Sequence, residues 1–266
     1  MYWWMTVGGI AFLFISTALG AALVFCLKNT VTRKQSAIFL GFTSGIMLAA
    51  SVWSLIIPAL QEGENGWGRY AFIPVSIGIF VGAIFLWGAD KLLPSTVQGR
   101  AGNNAVLKNP FKLFFAITLH NIPEGLAVGF AFGAAWAVKT EQAFLTACGL
   151  AFGIGIQNLP EGAAVALPMR SVFQSKKKAF LYGAASGVCE AVFAVLGVFL
   201  AVYLRSLQTW LLAFSAGAMI FVVAEELLPS ANSAEDSETN TSNYTHAAWG
   251  VIVGFILMLI LDVALG

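Results

Sequence analysis

Three carboxylates, Glu124, Glu161 and Glu190, stand well inside long apolar stretches of the chain, and His120, one of only two histidines, joins them. Ionisable side chains are costly within a bilayer and are functional candidates by default. His120 and Glu124 are spaced i, i+4, which puts both on one helix face. Gln157 and Glu161 repeat that spacing, and Asn121 and Asn158 sit one position round each helix with amide oxygens to offer. The two stripes read HNIPEG (120–125) and QNLPEG (157–162), so each contains a proline, Pro123 or Pro160, followed by Gly125 or Gly162. A proline within a helix removes one i→i−4 bond, which frees the carbonyls of Leu119 and Ile156. In hydrocarbon such backbone is tolerated only where protein buries it or it lines a wet cavity.

This inventory suits a cation. Three ionised carboxylates packed together would repel one another, and a divalent ion would partly neutralise them. Imidazole, carboxylate and amide oxygen fit zinc, and also Fe(II), Mn(II) or Cd(II), while the histidine argues against magnesium and calcium. A set without thiolate binds less tightly than a structural zinc site, as a transported ion requires. Because ligands must deprotonate to bind, metal uptake should depend on pH. Cys26, Cys148 and Cys189 lie in apolar stretches with no CxxC spacing, so neither a disulfide framework nor a thiolate site is indicated. Cys189 adjoins Glu190 but points about 100° away on a helix.

The elements that must position these groups are membrane helices. Of 266 residues 59% are hydrophobic and 10% charged, which excludes an ordinary soluble domain. Apolar stretches of about 20 residues recur at about 5–27, 37–60, 71–93, 111–135, 143–169, 179–204, 208–229 and 247–265. The expected fold is therefore all-α, a polytopic membrane protein of eight transmembrane helices in one transporter domain over 1–266. The first stretch has no Lys or Arg before it and is longer than the apolar core of a signal peptide. Of the 14 Lys and Arg, 11 fall in or beside odd-numbered loops: Lys28, Arg33, Lys34, Lys91, Arg100, Lys108, Lys112, Arg170, Lys176, Lys177 and Lys178. The positive-inside rule puts those loops in the cytoplasm and both termini on the extracellular or periplasmic side. The seventh loop is acidic (Glu235, Asp236, Glu238), which the rule permits. Its triplets at Asn240 and Asn243 would then face the cytoplasm and stay unmodified. Trp3, Trp4, Trp67 and Trp249 read as interface anchors, Asp262 as a helix-packing or interfacial acid, and His246 as a solvated loop residue.

Internal similarity adds weight. GAIFLWGADKLLPS (82–95) and GAMIFVVAEELLPS (217–230) share their ends, and HNIPEG is echoed by QNLPEG. Repeated interrupted helices at corresponding positions point to a transporter's central site.

On these motifs the whole chain resembles the ZIP (Zrt/Irt-like protein) family of metal transporters, in the bacterial branch with glutamine at the fifth-helix motif. Many relatives carry His where this chain has Gln157. The resemblance implies a binuclear metal centre between helices four and five. His120, Glu124, Gln157 and Glu161, with Met47 and Glu190, would form one position. Asn121 and Asn158, sharing Glu124, Glu161 and Glu190, would form the other. Glu225 and Glu226 resemble an exit site at the cytoplasmic mouth, with Asp90 beside them. Ser54 would line the access route, and Glu62 and Glu64 would attract cations outside. An elevator-like motion, a homodimer and a place in the inner or plasma membrane are implied as well, with zinc as transported substrate and cadmium, iron or manganese as further candidates.

Two other functions compete. An intramembrane metal-dependent hydrolase would use the metal to make a nucleophile from water, yet HExxH is absent and only one histidine lies in a span. A metal sensor would need an output domain outside the membrane. No P-loop signature is present, so the chain is expected to be no enzyme and to have neither nucleotide nor nucleic acid as partner.

Overall fold

The computed structural model describes residues 2–27, 32–92, 110–201, 207–232 and 240–265. Among them are eight helices long and apolar enough to cross a membrane. We label these α1 (Tyr2–Cys26), α2 (Arg33–Ala50, continued by Ser51–Ile56 and Ile57–Trp67), α3 (Phe72–Leu92) and α4 (Pro110–Val138). The remainder are α5 (Glu141–Phe173), α6 (Lys176–Leu200), α7 (Gln208–Val222, continued by Val223–Leu227 and Leu228–Asn232) and α8 (Asn240–Leu265). The described residues contain no strand.

Short polar signals start the helices where the apolar runs begin. Thr32 and Gln35 form a reciprocal capping box on α2, and Thr140 and Ser175 accept the third backbone N–H of α5 and α6. Gln174, in the left-handed region at φ 52°, ends α5 and turns the chain directly into α6. Hydroxyls inside the spans are satisfied by their own helix: Thr17, Ser44 and Ser51 each donate to the carbonyl four residues back.

The helices sort into two bundles that are not contiguous in sequence. In the first, α1 packs along α5 and α6, and α4 packs along α6 and α5; in the second, α2 packs along α8 and α3 along α7. Glycines allow the closest approaches within each bundle. A Cβ at Gly20 or Gly162 would overlap the backbone carbonyls of Leu159 and Thr17, and one at Gly125 or Gly129 those of Glu190 and Ala194. In the second bundle the same holds for Gly41 and Gly45 against Ala247 and Val251, and for Gly82 and Gly217 against Phe214 and Ile79. This is packing by small residues, which replaces the hydrophobic drive that lipid cannot supply. Between the bundles, α4 faces α7 and α2 faces α5, and the described residues make no glycine-on-carbonyl contacts of that kind there.

The basic ends of the helices gather at one face. There Arg170 donates to the carbonyl of Leu27 at 3.0 Å and Lys176 to that of Phe25 at 3.0 Å. Lys28, Arg100 and Lys108 lie outside the described residues, as do Glu235, Asp236 and Glu238; so do the side chains of Arg33, Asn240 and Asn243. At the opposite face Tyr2 stacks on Phe144, Trp136 donates to Thr6, and Trp67 meets Trp210 edge-on. Trp3, Trp4, Trp67 and Trp249 are all exposed on the outer surface, as anchors in a bilayer should be.

The interruptions fall elsewhere than the prolines of the two motifs led us to expect. α4 and α5 run as continuous α-helices through Pro123 and Pro160, since a proline deletes one donor and the other bonds of the turn survive. The π-helical segments lie in α2 (Ser51–Ile56) and α7 (Val223–Leu227), ahead of Pro58 and Pro229. Their last turns close by i→i−5 bonds, Ile57 N–H to Val52 and Leu228 N–H to Val223. Both segments end two residues before a proline, and each follows a Gly-x-Met triplet, Gly45–Met47 or Gly217–Met219.

Candidate metal centre

The bounds of α4 and α5 place Glu124 and Gln157 as their middle residues. The cluster therefore sits halfway through the first bundle. His120, Asn121, Glu124, Gln157, Asn158, Glu161 and Glu190 are all buried, at 1% exposure or less. Gly125 and Gly162, the last residues of the two motifs, let α6 and α1 close on α4 and α5, and this brings Glu190 to the cluster from α6.

His120, Glu124 and Glu161 converge, with one potential ligand atom from each lying within 4.8 Å of the others. His120 Nε2 is 3.4 Å from Glu161 Oε2 and 4.0 Å from Glu124 Oε2, while its Nδ1 faces the carbonyl of Ala116 at 3.3 Å. A carbonyl only accepts, so Nδ1 carries a hydrogen there, and in a neutral ring this leaves Nε2 as a lone pair toward the carboxylates.

The amides are oriented by their hydrogens. Gln157 Nε2 donates to Glu124 Oε1 at 2.9 Å, Asn121 Nδ2 to the carbonyl of Ser186 at 3.1 Å, and Asn158 Nδ2 to Glu190 Oε2 and the carbonyl of Leu13. Each amide oxygen is left turned away from those donors. Among the described residues ten buried side-chain nitrogen or oxygen atoms lack a hydrogen-bond partner, and eight of them belong to these seven residues. They are His120 Nε2, both oxygens of Glu161, one each from Glu124 and Glu190, and the amide oxygens of Asn121, Gln157 and Asn158. Buried polar atoms are ordinarily paired. Eight lone-pair atoms without a donor, gathered at one place, match the coordination demand of a cation.

The remaining expected residues lie on α2 and α7, with Asp90 on α3. Met47 is fully buried in α2. Ser54 Oγ lies 3.2 Å from where a Cβ on Gly153 would stand, which aligns antiparallel α2 and α5; seven residues inward on each, about 10 Å, brings Met47 level with Pro160 and Glu161. Ser54 itself donates to Asp262 Oδ1 at 2.8 Å, tying α2 to α8. Glu62, but not Glu64, lines a cavity of about 610 Å³ between the bundles, with Trp67, Ala131, Ala135, Thr146 and Thr209. At the basic face Glu226 is buried and paired with Lys112 of α4, whereas Glu225 is exposed; the two do not act as one cluster. The side chain of Asp90 lies outside the described residues.

Sequence reasoning missed three partners here. Lys112 reads only as a topology charge and Asp262 only as a helix-packing or interfacial acid, and Met219, whose sulfur lies 2.8 Å from Ser51 Oγ, does not stand out at all. Only the Gly-x-Met echo could have drawn attention to the last.

Fold and cluster together define a polytopic membrane protein with a buried group of candidate metal ligands. A family profile described as ZIP Zinc transporter matches residues 109–262, and the chain belongs to that family. It is 35% identical to the zinc transporter ZIP11 of Homo sapiens, over 97% of this chain and 96% of that one. It is 34% identical to the zinc transporter GufA of Myxococcus xanthus, over 98% and 100%, and 36% identical to the zinc transporter ZIPB of Bordetella bronchiseptica, over 95% and 79%. The chain is thus a multi-pass transporter of divalent metal ions in the cell membrane, and not an enzyme.

Proposed function

We propose that the chain moves zinc into the cytoplasm through the His120–Glu124–Glu161 cluster, by displacement of the first bundle against the second. The observation that carries this reading is the gathering of eight unpartnered lone-pair atoms on seven buried residues. The zinc assignment draws on the names of the relatives and on the donor set, which also admits cadmium, iron(II) and manganese(II). Asn121, Asn158 and the shared carboxylates offer oxygens for a second ion beside the first, with Met47 as thioether donor to the first from across the bundle boundary. Glu225 and Glu226 would receive the ion at the cytoplasmic mouth. The odd-numbered loops, with their concentration of Lys and Arg, face the cytoplasm, both termini face outside, and two copies pair as a homodimer with residues 1–266 acting as one transporter domain.

Support for the motion comes from the glycine seams. They lock helices within each bundle and, among the described residues, are absent between bundles, so sliding at the boundary separates no interlocked backbones. All seven cluster residues ride on one bundle.

Purified protein in liposomes with an internal zinc-sensitive dye tests the assignment. Influx is expected for the parent and a fall of at least about tenfold for Glu161→Ala and for His120→Ala, since metal-site ligands and their supports are worth that much or more. Parental rates in both variants would remove the cluster from the transport path.

A further inference from the structure

The motion needs something to hold the bundles in register between strokes, and a charged contact crosses the boundary at the basic face. Lys112, in the first turn of α4, reaches Glu226 of α7. Its side chain is 19% exposed and that of Glu226 11%, so water screens the pair far less than it would at a free surface. Glu226 lies within the π-helical segment Val223–Leu227, where the regular α-helical ladder is already relaxed. Lys112 precedes His120 by eight residues, about 12 Å along α4. Lys112 thus stands between the level of the cluster and the basic end of α4. At the opposite face the same two bundles stand apart around the 610 Å³ cavity that Glu62 lines.

We propose that Lys112 is a tethered counter-cation for Glu226, latching the bundles at the basic face until a departing divalent ion takes its place on the carboxylate. A doubly charged ion attracts a carboxylate about twice as strongly as an ammonium at equal distance. Exchange therefore runs toward release of the lysine, and the freed α4 separates from α7 and lets the ion out. When the ion leaves, Lys112 returns and closes the mouth. The latch rests on the transport reading above, and it adds a residue for which the metal centre itself has no use.

The test uses full-length protein with Cys26, Cys148 and Cys189 replaced by alanine and a single reporter, Ile117→Cys, on the fully buried turn of α4 between Lys112 and His120. In oriented vesicles a membrane-impermeant maleimide is applied from the side of the basic loops. Labelling should be slow in the parent, rise when zinc is added, and rise without zinc by about fivefold in K112Q and in E226Q, equivalent to about 1 kcal/mol. The exchange K112E/E226K should restore slow labelling and lose the response to zinc. Labelling in K112Q at the parental rate, or a charge exchange that stays as open as the single variants, overturns the latch. Zinc flux and its loss in Glu161→Ala are read in the same vesicles, so a failed latch and a failed transport assignment give different results.

Discussion

Asn158 directs its amide hydrogens to Leu13 and Glu190 and leaves its oxygen unpartnered. That division recurs in Gln157, which donates to Glu124, and in Asn121, which donates to Ser186, so two of the three amides orient carboxylates while all three keep an oxygen open. Losing one should weaken binding through its neighbours. Asn158→Ala is expected to lower zinc affinity by about 10–100-fold, measured by competition with a chelating dye in detergent, with the protein's melting behaviour nearly unchanged. A fall of less than twofold would show that Glu190 holds its place unaided. The placement of these residues on shared helix faces was legible in the sequence, because i, i+4 spacing of His120 with Glu124 and of Gln157 with Glu161 survives any packing of the helices. Their orientation was not. It depends on the carbonyls of Leu13 and Ser186, which are 145 and 65 residues from the amides they hold.

At the scale of the elements, the apolar runs marked all eight helices, since a span must satisfy its backbone internally and so runs unbroken through the membrane. What the runs concealed was where the helices relax. Pro123 and Pro160 advertise a break that the continuous α4 and α5 do not show, whereas Pro58 and Pro229 accompany π-helical turns that nothing in the local composition announces. The neighbouring glycines explain part of the difference. Gly125 and Gly162 sit against the carbonyls of Glu190 and Thr17, and that close packing holds the helical path on either side. Gly125→Ala and Gly162→Ala should each destabilise the protein by about 1–3 kcal/mol, the usual cost of forcing a methyl into a filled contact. Gly149→Ala, with nothing within 4 Å of the added methyl, should melt like the parent. Thermal unfolding in detergent compares the three, and equal stability throughout would mean that the seams are loose.

Across the whole molecule the two bundles meet where Ser54 and Gly153 come close. A disulfide between Ser54→Cys and Gly153→Cys, in a chain lacking the native cysteines, should stop zinc flux on oxidation and restore it on reduction. Full flux with the bond intact would mean that transport needs no sliding of α5 past α2. The long-range pairs that organise this scale, Ser54 with Asp262 and Lys112 with Glu226, were invisible in sequence because each joins helices far apart in the chain. Single charges near span ends carry no record of their partners.

The interleaving of the bundles also sets an order of assembly. Gly41 and Gly45 of α2 fit against Ala247 and Val251 of α8, so α2 finds its mate only after the five helices between them have been made. Until then a seam shaped for another backbone faces lipid or a neighbouring chain. A nascent protein stalled after Asn232 would hold α1, α4, α5 and α6 complete around the cluster while α2 waited unmatched. The order of synthesis thus leaves the groove of α2 open until α8 arrives to close it.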